Sequence, residues 1–222
     1  MNYKINITIL LVLIVATASS SCREALENYT SPKNTNMSKE TTRIPVIQII
    51  LGSTRKARVS DKIGNSLKRM ADKRTDISTE IVDLREFNLP FLNDEVAPQK
   101  RKEIVDPAVK KWSDKIKEAD AYVIVTPEYN SGYPGVLKNA LDSLYAEWNS
   151  KPVALVGYSG GSSGGTTVLN RLRQVVAALK MKPVSLEIKI PSSWQAFDQQ
   201  GNFVDKTIED QLNAIVNQLL AL

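Results

Sequence analysis

Five short apolar runs rich in β-branched residues recur along the chain, and between them hydrophobic residues switch to helical spacing. Strands that are apolar on both faces must be covered on both faces. A parallel sheet wrapped by crossover helices meets that demand. The runs are PVIQIIL (Pro45 to Leu51), ISTEIVDL (Ile77 to Leu84), AYVIVT (Ala121 to Thr126), PVALVGY (Pro152 to Tyr158) and VSLEIKI (Val184 to Ile190). The helical stripes begin with Val59, Ile63, Leu67 and Met70, then Val109, Trp112, Ile116 and Ala119, then Leu137, Leu141 and Leu144. Two more follow: Val168, Leu172, Val175, Val176 and Leu179, and finally Ile208, Leu212, Ile215 and Leu219. Asp106 with Pro107 predicts one helix start and Pro134 another, and Thr207 with Asp210 is expected to cap the last helix. Residues 44–222 therefore read as one doubly wound α/β domain. Ligands of such folds sit beyond the carboxyl ends of the strands, near the switch in strand order.

Ahead of this domain, Lys4 precedes an apolar run from Ile5 to Ala18. The run is too short and too lightly flanked for a comfortable membrane-spanning helix, but it suits a signal peptide. It ends in SSSC, which resembles a bacterial lipobox, although Ser19 stands where leucine is usual. Residues 1–22 are thus expected to be a signal peptide of lipoprotein type, with lipidation at Cys22 anchoring the chain to a membrane. Residues 23–43 are expected to be a polar linker. Two alternatives stay open: a plain secretory signal with a stray cysteine, and translation from Met37, which would leave a cytoplasmic protein.

Composition removes whole classes of chemistry. The chain has no histidine and one cysteine. That excludes Ser-His-Asp triads, Cys-His dyads, HExxH metal sites and cysteine zinc clusters. Acid–base work falls to other groups, or a cofactor carries the reaction. The net charge of +5 comes from scattered Lys and Arg with no interleaved nucleic-acid motif. It argues against a nucleic-acid partner and fits a solvated basic surface or a phosphorylated ligand.

Three loops fall at carboxyl ends of predicted strands. The first, GSTRKARVSDKIG from Gly52, offers the hydroxyls of Ser53, Thr54 and Ser60, the charges of Arg55 and Arg58, and a helix N-terminus. These suit a phosphate. They would equally make a capped helix start with exposed arginines. The second, PEYNSGYPGVLKNALD from Pro127, forms a rigid turn whose backbone donors can read the edge of a flat heterocycle, flanked by Tyr129 and Tyr133. The third, SGGSSGG from Ser159, permits close approach of backbone to a ligand. A flexible linker inside one domain is the other reading.

GSTR followed by Ser60, PEYN with PGVLKNALD, and the later paired glycines resemble the NADPH-dependent FMN reductase family, in the same order and spacing, over Arg43 to Leu222. The resemblance implies a flavodoxin-like fold with strand order 2-1-3-4-5 and noncovalent FMN. Ser53, Thr54, Arg55, Arg58 and Ser60 would meet the phosphate. Pro127, Glu128, Tyr129 and Asn130 would meet the isoalloxazine, and Ser159, Gly160 and Gly161 would close over it. Many relatives carry Ser or Gly where Arg58 stands, and Arg58 suggests an additional arginine near the phosphate. The implied activity passes hydride from NADPH through FMN to quinones, azo compounds, flavins or metal oxyanions, with no side-chain general acid. Backbone N–H groups of the Glu128 to Asn130 turn would stabilise charge on the reduced ring, and Glu128 would organise its loop or meet a neighbouring subunit. The resemblance also implies a homodimer or homotetramer, with Trp112 and Trp148 in the interface or in the core. Two other functions compete: an FMN-binding electron carrier without NADPH turnover, and a noncatalytic membrane-anchored lipoprotein. An extracytoplasmic site would deny the protein NADPH, so the leader and the enzymatic reading pull apart.

Overall fold

The computed structural model describes residues 43–222. The expectations for the signal peptide, for Cys22 and for all of the linker but Arg43 lie outside the described residues.

Each apolar run forms a strand and each stripe a helix. The order is β1 (Val46–Leu51), α1 (Ser60–Ala71), β2 (Ser78–Asp83), α2 (Pro107–Lys117), β3 (Ala121–Pro127), α3 (Gly135–Asp142), β4 (Pro152–Tyr158), α4 (Thr166–Ala178), β5 (Lys182–Ile190) and α5 (Thr207–Leu220). The five strands form one sheet in the order β2-β1-β3-β4-β5, parallel throughout, with Ile49 beside Ile81 and Val123. The order in which strands are added therefore switches sides between β1 and β3, and the loops at their carboxyl ends converge there.

Alternation along β1 divides the core. Ile47, Ile49 and Leu51 face α1 and α5, packing with Ile63, Leu67, Leu212 and Ile215. Ile50 faces the other way, with Tyr122 and Ile124 of β3 under α2, α3 and α4. Gln48 interrupts this apolar face but donates to Lys115 O at 2.8 Å, so its amide nitrogen is satisfied. Trp112 and Trp148 are both fully buried in this second layer, edge to face at 6.0 Å. Their indole N–H groups donate to Ala140 O and Leu141 O. Of the two sites expected for these tryptophans, the core is therefore the one they occupy.

One predicted cap differs. Thr207 is the first residue of α5 and makes no capping bond to the helix. Asp205 does that work instead: its Oδ1 accepts from the Thr207 N–H at 2.9 Å and from the Thr207 hydroxyl at 2.7 Å. A carboxylate accepts more strongly than a hydroxyl at a helix start, which is the physical reason. Asp106 caps α2 as its sequence position suggests, accepting from Ala108 and Val109 N–H. Among the described residues no helix is long and apolar enough to cross a membrane.

Candidate flavin site

The loop leaving β1 is fixed at both ends. Gly52 N–H donates to Val125 O at 2.8 Å. A Cβ there would lie 2.9 Å from both that oxygen and Leu137 Cδ2, so only glycine lets the loop pass β3. Ser53 is buried, and its hydroxyl pairs with Tyr129 Oη at 2.8 Å. Thr54 and Arg55 are exposed. The Arg55 guanidinium stands 5.5 Å from the Tyr129 ring centroid, a cation–π distance. α1 begins without a side-chain cap, which leaves its first-turn N–H groups facing this loop. Ser60 is fully buried there, and its hydroxyl has no partner among the described residues.

Arg58 lines the site, but two carboxylates hold its guanidinium. Its side chain is 1% exposed. Nη1 and Nη2 grip the Asp83 carboxylate at 2.7 and 2.5 Å. Nη2 also reaches Asp61, and Nη1 donates to Ser53 O at 2.5 Å. Burial opposes the charge, but hydrogen bonds to Asp83 and Asp61 outweigh it and raise the Arg58 pKa. Burial likewise opposes the Asp83 charge, yet the Arg58 bond holds its carboxyl below the usual range. The fork of Arg58 braces the loop, and among the described residues its Nε is left without a partner. Arg85, which the sequence did not single out, braces the same loop by donating to Thr54 O and Arg55 O.

The loop leaving β3 is a tight turn. Tyr129 and Gly132 exchange both backbone bonds, at 2.8 and 2.9 Å, and Asn130 and Ser131 sit at φ of 49° and 63°. After glycine, short polar residues take that conformation most readily. The Glu128 N–H is bound to Tyr158 O and the Tyr129 N–H to Gly132 O. Of the three donors expected to face a ligand, only that of Asn130 has no partner within the described residues. The Glu128 carboxylate accepts from Thr167 and Val168 N–H at 3.0 and 3.1 Å, tying this turn to the start of α4. Tyr133 does not flank the turn. It points to the far side, packed with Tyr145 along a groove under α3 and α4.

The loop leaving β4 is strapped to the segment after β5. Ser159 N–H donates to Ile190 O, Ser193 N–H to Ser159 O, and Ser192 N–H to Gly161 O. Gly160 and Gly161 are exposed, and a Cβ at Gly161 would meet nothing within 4 Å. Tyr158, at the end of β4, is buried near the Ser60 and Ser53 hydroxyls; its own hydroxyl makes no well-formed hydrogen bond among the described residues, and burial pushes its pKa up to about 12.

These three loops close around a cavity of about 130 Å³, lined by Arg55, Arg58, Pro127, Glu128, Tyr129, Tyr158, Ser159, Gly160, Ser193 and Trp194. Grooves of about 620 and 630 Å³ lie elsewhere between helices. Size does not choose between them, but chemistry does. Among the described residues five buried side-chain polar atoms have no partner, and three of them gather here: Arg58 Nε and Tyr158 Oη on lining residues, and Ser60 Oγ beside Tyr158. Unsatisfied donors at an uncapped helix N-terminus suit an anionic oxygen cluster such as a phosphate. The cavity is smaller than the roughly 300–1,000 Å³ that buries a drug-sized ligand, so a flavin nucleotide would bury its phosphate end and leave its ring toward the mouth. Tyr158, Ser193, Trp194 and Asp83 carried no motif and were not foreseen.

The chain is similar to known proteins and solved structures. It is 39% identical over 139 residues to an NAD(P)H-dependent FMN reductase of Schizosaccharomyces pombe, spanning 62% of this chain and 68% of that protein. It is 32% identical over 167 residues to a quinone reductase of Pseudomonas putida, spanning 72% and 86%. Among solved structures it is similar to FerB, a flavoenzyme NAD(P)H:(acceptor) oxidoreductase of Paracoccus denitrificans, with a TM-score of 0.67, 27% identity, and 80% of this chain and 98% of that one covered. Residues 45–195 match the family described as NADPH-dependent FMN reductase. With the strand order, the three converging loops and that match in agreement, the chain belongs to the NADPH-dependent FMN reductase family.

Proposed function

We propose that this protein is an FMN-dependent NAD(P)H oxidoreductase that reduces small-molecule acceptors, quinones foremost. One observation carries the site: the unpartnered Arg58 Nε, Ser60 Oγ and Tyr158 Oη gathered where the sheet reverses its order. FMN held there would supply hydride acceptance from NAD(P)H and electron delivery to the acceptor, redox chemistry that acid–base side chains do not supply.

The chain's own residues bind, orient and shield. Ser53, Thr54, Arg55 and Ser60, with the N–H groups of α1, take the phosphate. Arg58 does so only through Nε, its main part being to hold Ser53 against α1 and β2. Pro127, Glu128, Tyr129 and Asn130 present the turn to the ring, with the Asn130 N–H as its free donor. Ser159, Gly160 and Gly161 leave room for a flat ligand. Glu128 is committed to α4 and serves as a loop organiser.

The reading extends to assembly and address. Phe91 is 83% exposed, beside exposed Leu92 and Val96, and such a patch fits a second copy of the chain in a homodimer or homotetramer. Cys22 as a lipid anchor and Met37 as a cytoplasmic start remain two addresses for the same domain. The mass of the native N-terminus separates them.

A visible spectrum of the full chain, loaded with FMN and then mixed anaerobically with NADPH, tests the function. Bound flavin that bleaches within seconds is expected. Bound flavin that NADPH leaves oxidised would turn the reading to an electron carrier.

A further inference from the structure

Trp194 differs from the other two tryptophans. Trp112 and Trp148 are sealed in the core, whereas Trp194 is 63% exposed. Its mounting is rigid. Ser193, just before it, is buried and donates to Ser159 O at 2.9 Å. Ser192 N–H donates to Gly161 O at 2.9 Å and Gln195 N–H to Ser192 O at 2.7 Å, with Ser192 itself at a φ of 44°. The indole is laid along the β4 loop: a Cβ built on Gly160 would come 3.6 Å from its Nε1 and 3.8 Å from its Cδ1. The same indole lines the cavity together with Arg55 and Tyr129. Its N–H has no partner among the described residues. A large aromatic ring fixed in water at a ligand cavity forgoes the burial that tryptophan otherwise gains, so a bound ligand is the natural source of that burial.

We infer that Trp194 is the stacking wall of this site, bearing on a planar aromatic ring system held in the cavity mouth. The inference rests on the flavin-enzyme reading above. The ring has two sources, the flavin itself or an aromatic acceptor such as a quinone. Compact acceptors without a ring gain nothing from the indole.

Oxidative footprinting separates these sources without measuring turnover. The full chain is oxidised briefly with N-bromosuccinimide, and the tryptophan peptides are read by mass. Trp112 and Trp148 are internal controls that stay unreacted because they are buried. FMN is expected to slow Trp194 oxidation severalfold if the flavin is the source. Protection only after 1,4-naphthoquinone is added to the FMN-loaded protein names the acceptor, and inorganic phosphate alone gives none. Trp194→Ala is expected to weaken the protecting ligand roughly tenfold, with Trp194→Phe keeping most of the affinity. Equal loss in both variants, or none, overturns the inference. So does FMN that binds while Trp194 oxidises equally in every arm, and that result leaves the flavin reading intact. Failure of the chain to retain FMN overturns both.

Discussion

Arg55 and Arg58 lie three residues apart and look alike in the sequence, yet their side chains do opposite work. Arg55 is exposed and makes no ion pair among the described residues, while Arg58 is locked between Asp83 and Asp61. Arg55→Ala should therefore leave the melting temperature unchanged and weaken FMN by about tenfold or more, the worth of one charge-assisted bond, as equilibrium dialysis would show. Arg58→Ala should lower stability by roughly 2–3 kcal/mol. That is less than the roughly 3–5 kcal/mol for a fully buried pair, because Asp83 keeps 19% of its side chain exposed. The same pair gives a pH dependence. The Asp83 carboxyl titrates lower when folded than when unfolded. Its contribution is present above the unfolded value near pH ~3.9 and is lost as pH falls through the folded value. Asp83→Asn should be less stable at pH 7 and show a flatter loss of stability below about pH 4, measured by denaturant titration at each pH. The motif GSTRKARVS announced an anion loop, but which arginine faces outward depends on a partner 25 residues further on, and local spacing carries no trace of it.

At the scale of elements, the strands were legible because each is a bounded apolar run, and the misses have physical causes. β5 begins at Lys182 rather than Val184. Lys-Pro reads as a turn, but β5 is an edge strand, where proline is tolerated. The PGVLKNALD segment forms the helix that Pro134 and the Leu137, Leu141 stripe predict, and it is mostly a packing device. Leu137, Ala140 and Leu141 are core, and Asn139 clamps the chain before α2 by donating to Pro90 O and accepting from Leu92 N–H. Two loop residues carry element-scale predictions. Glu128→Gln removes a charged acceptor from the start of α4 and should lower stability by about 1 kcal/mol, or about 2–4 °C in a thermal melt. Gly165 sits at a φ of 87°, and a Cβ there would lie 2.8 Å from Tyr158 N. Gly165→Ala should then be destabilised by at least about 1–3 kcal/mol from backbone strain alone. Gly161→Ala, with open space around it, should melt as the native chain does but bind FMN more weakly. The glycines that shape the loop and those that face the ligand are thus separable by one melting experiment.

For the whole molecule, the surface around Phe91 holds the remaining information. Asn139 pins Pro90 and Leu92, so Phe91 is presented outward by a held backbone rather than left on a loose loop. Leu92 also borders the groove of about 630 Å³ in which Tyr133 and Tyr145 lie. In the homodimer proposed above, a two-fold axis would let each copy insert Phe91 into the other's groove. Trp112 and Trp148, which the sequence left open to an interface or the core, are both buried in the core, so a contact between copies falls to other residues. Sedimentation of the native chain at micromolar concentration should show a dimer or a larger even assembly. Phe91→Glu places a charge on the contact and should shift it to monomer while leaving the melting behaviour of the domain and its retention of FMN in place. A native chain that sediments as a monomer at tens of micromolar would remove the interface and leave Phe91 as a surface residue without a partner.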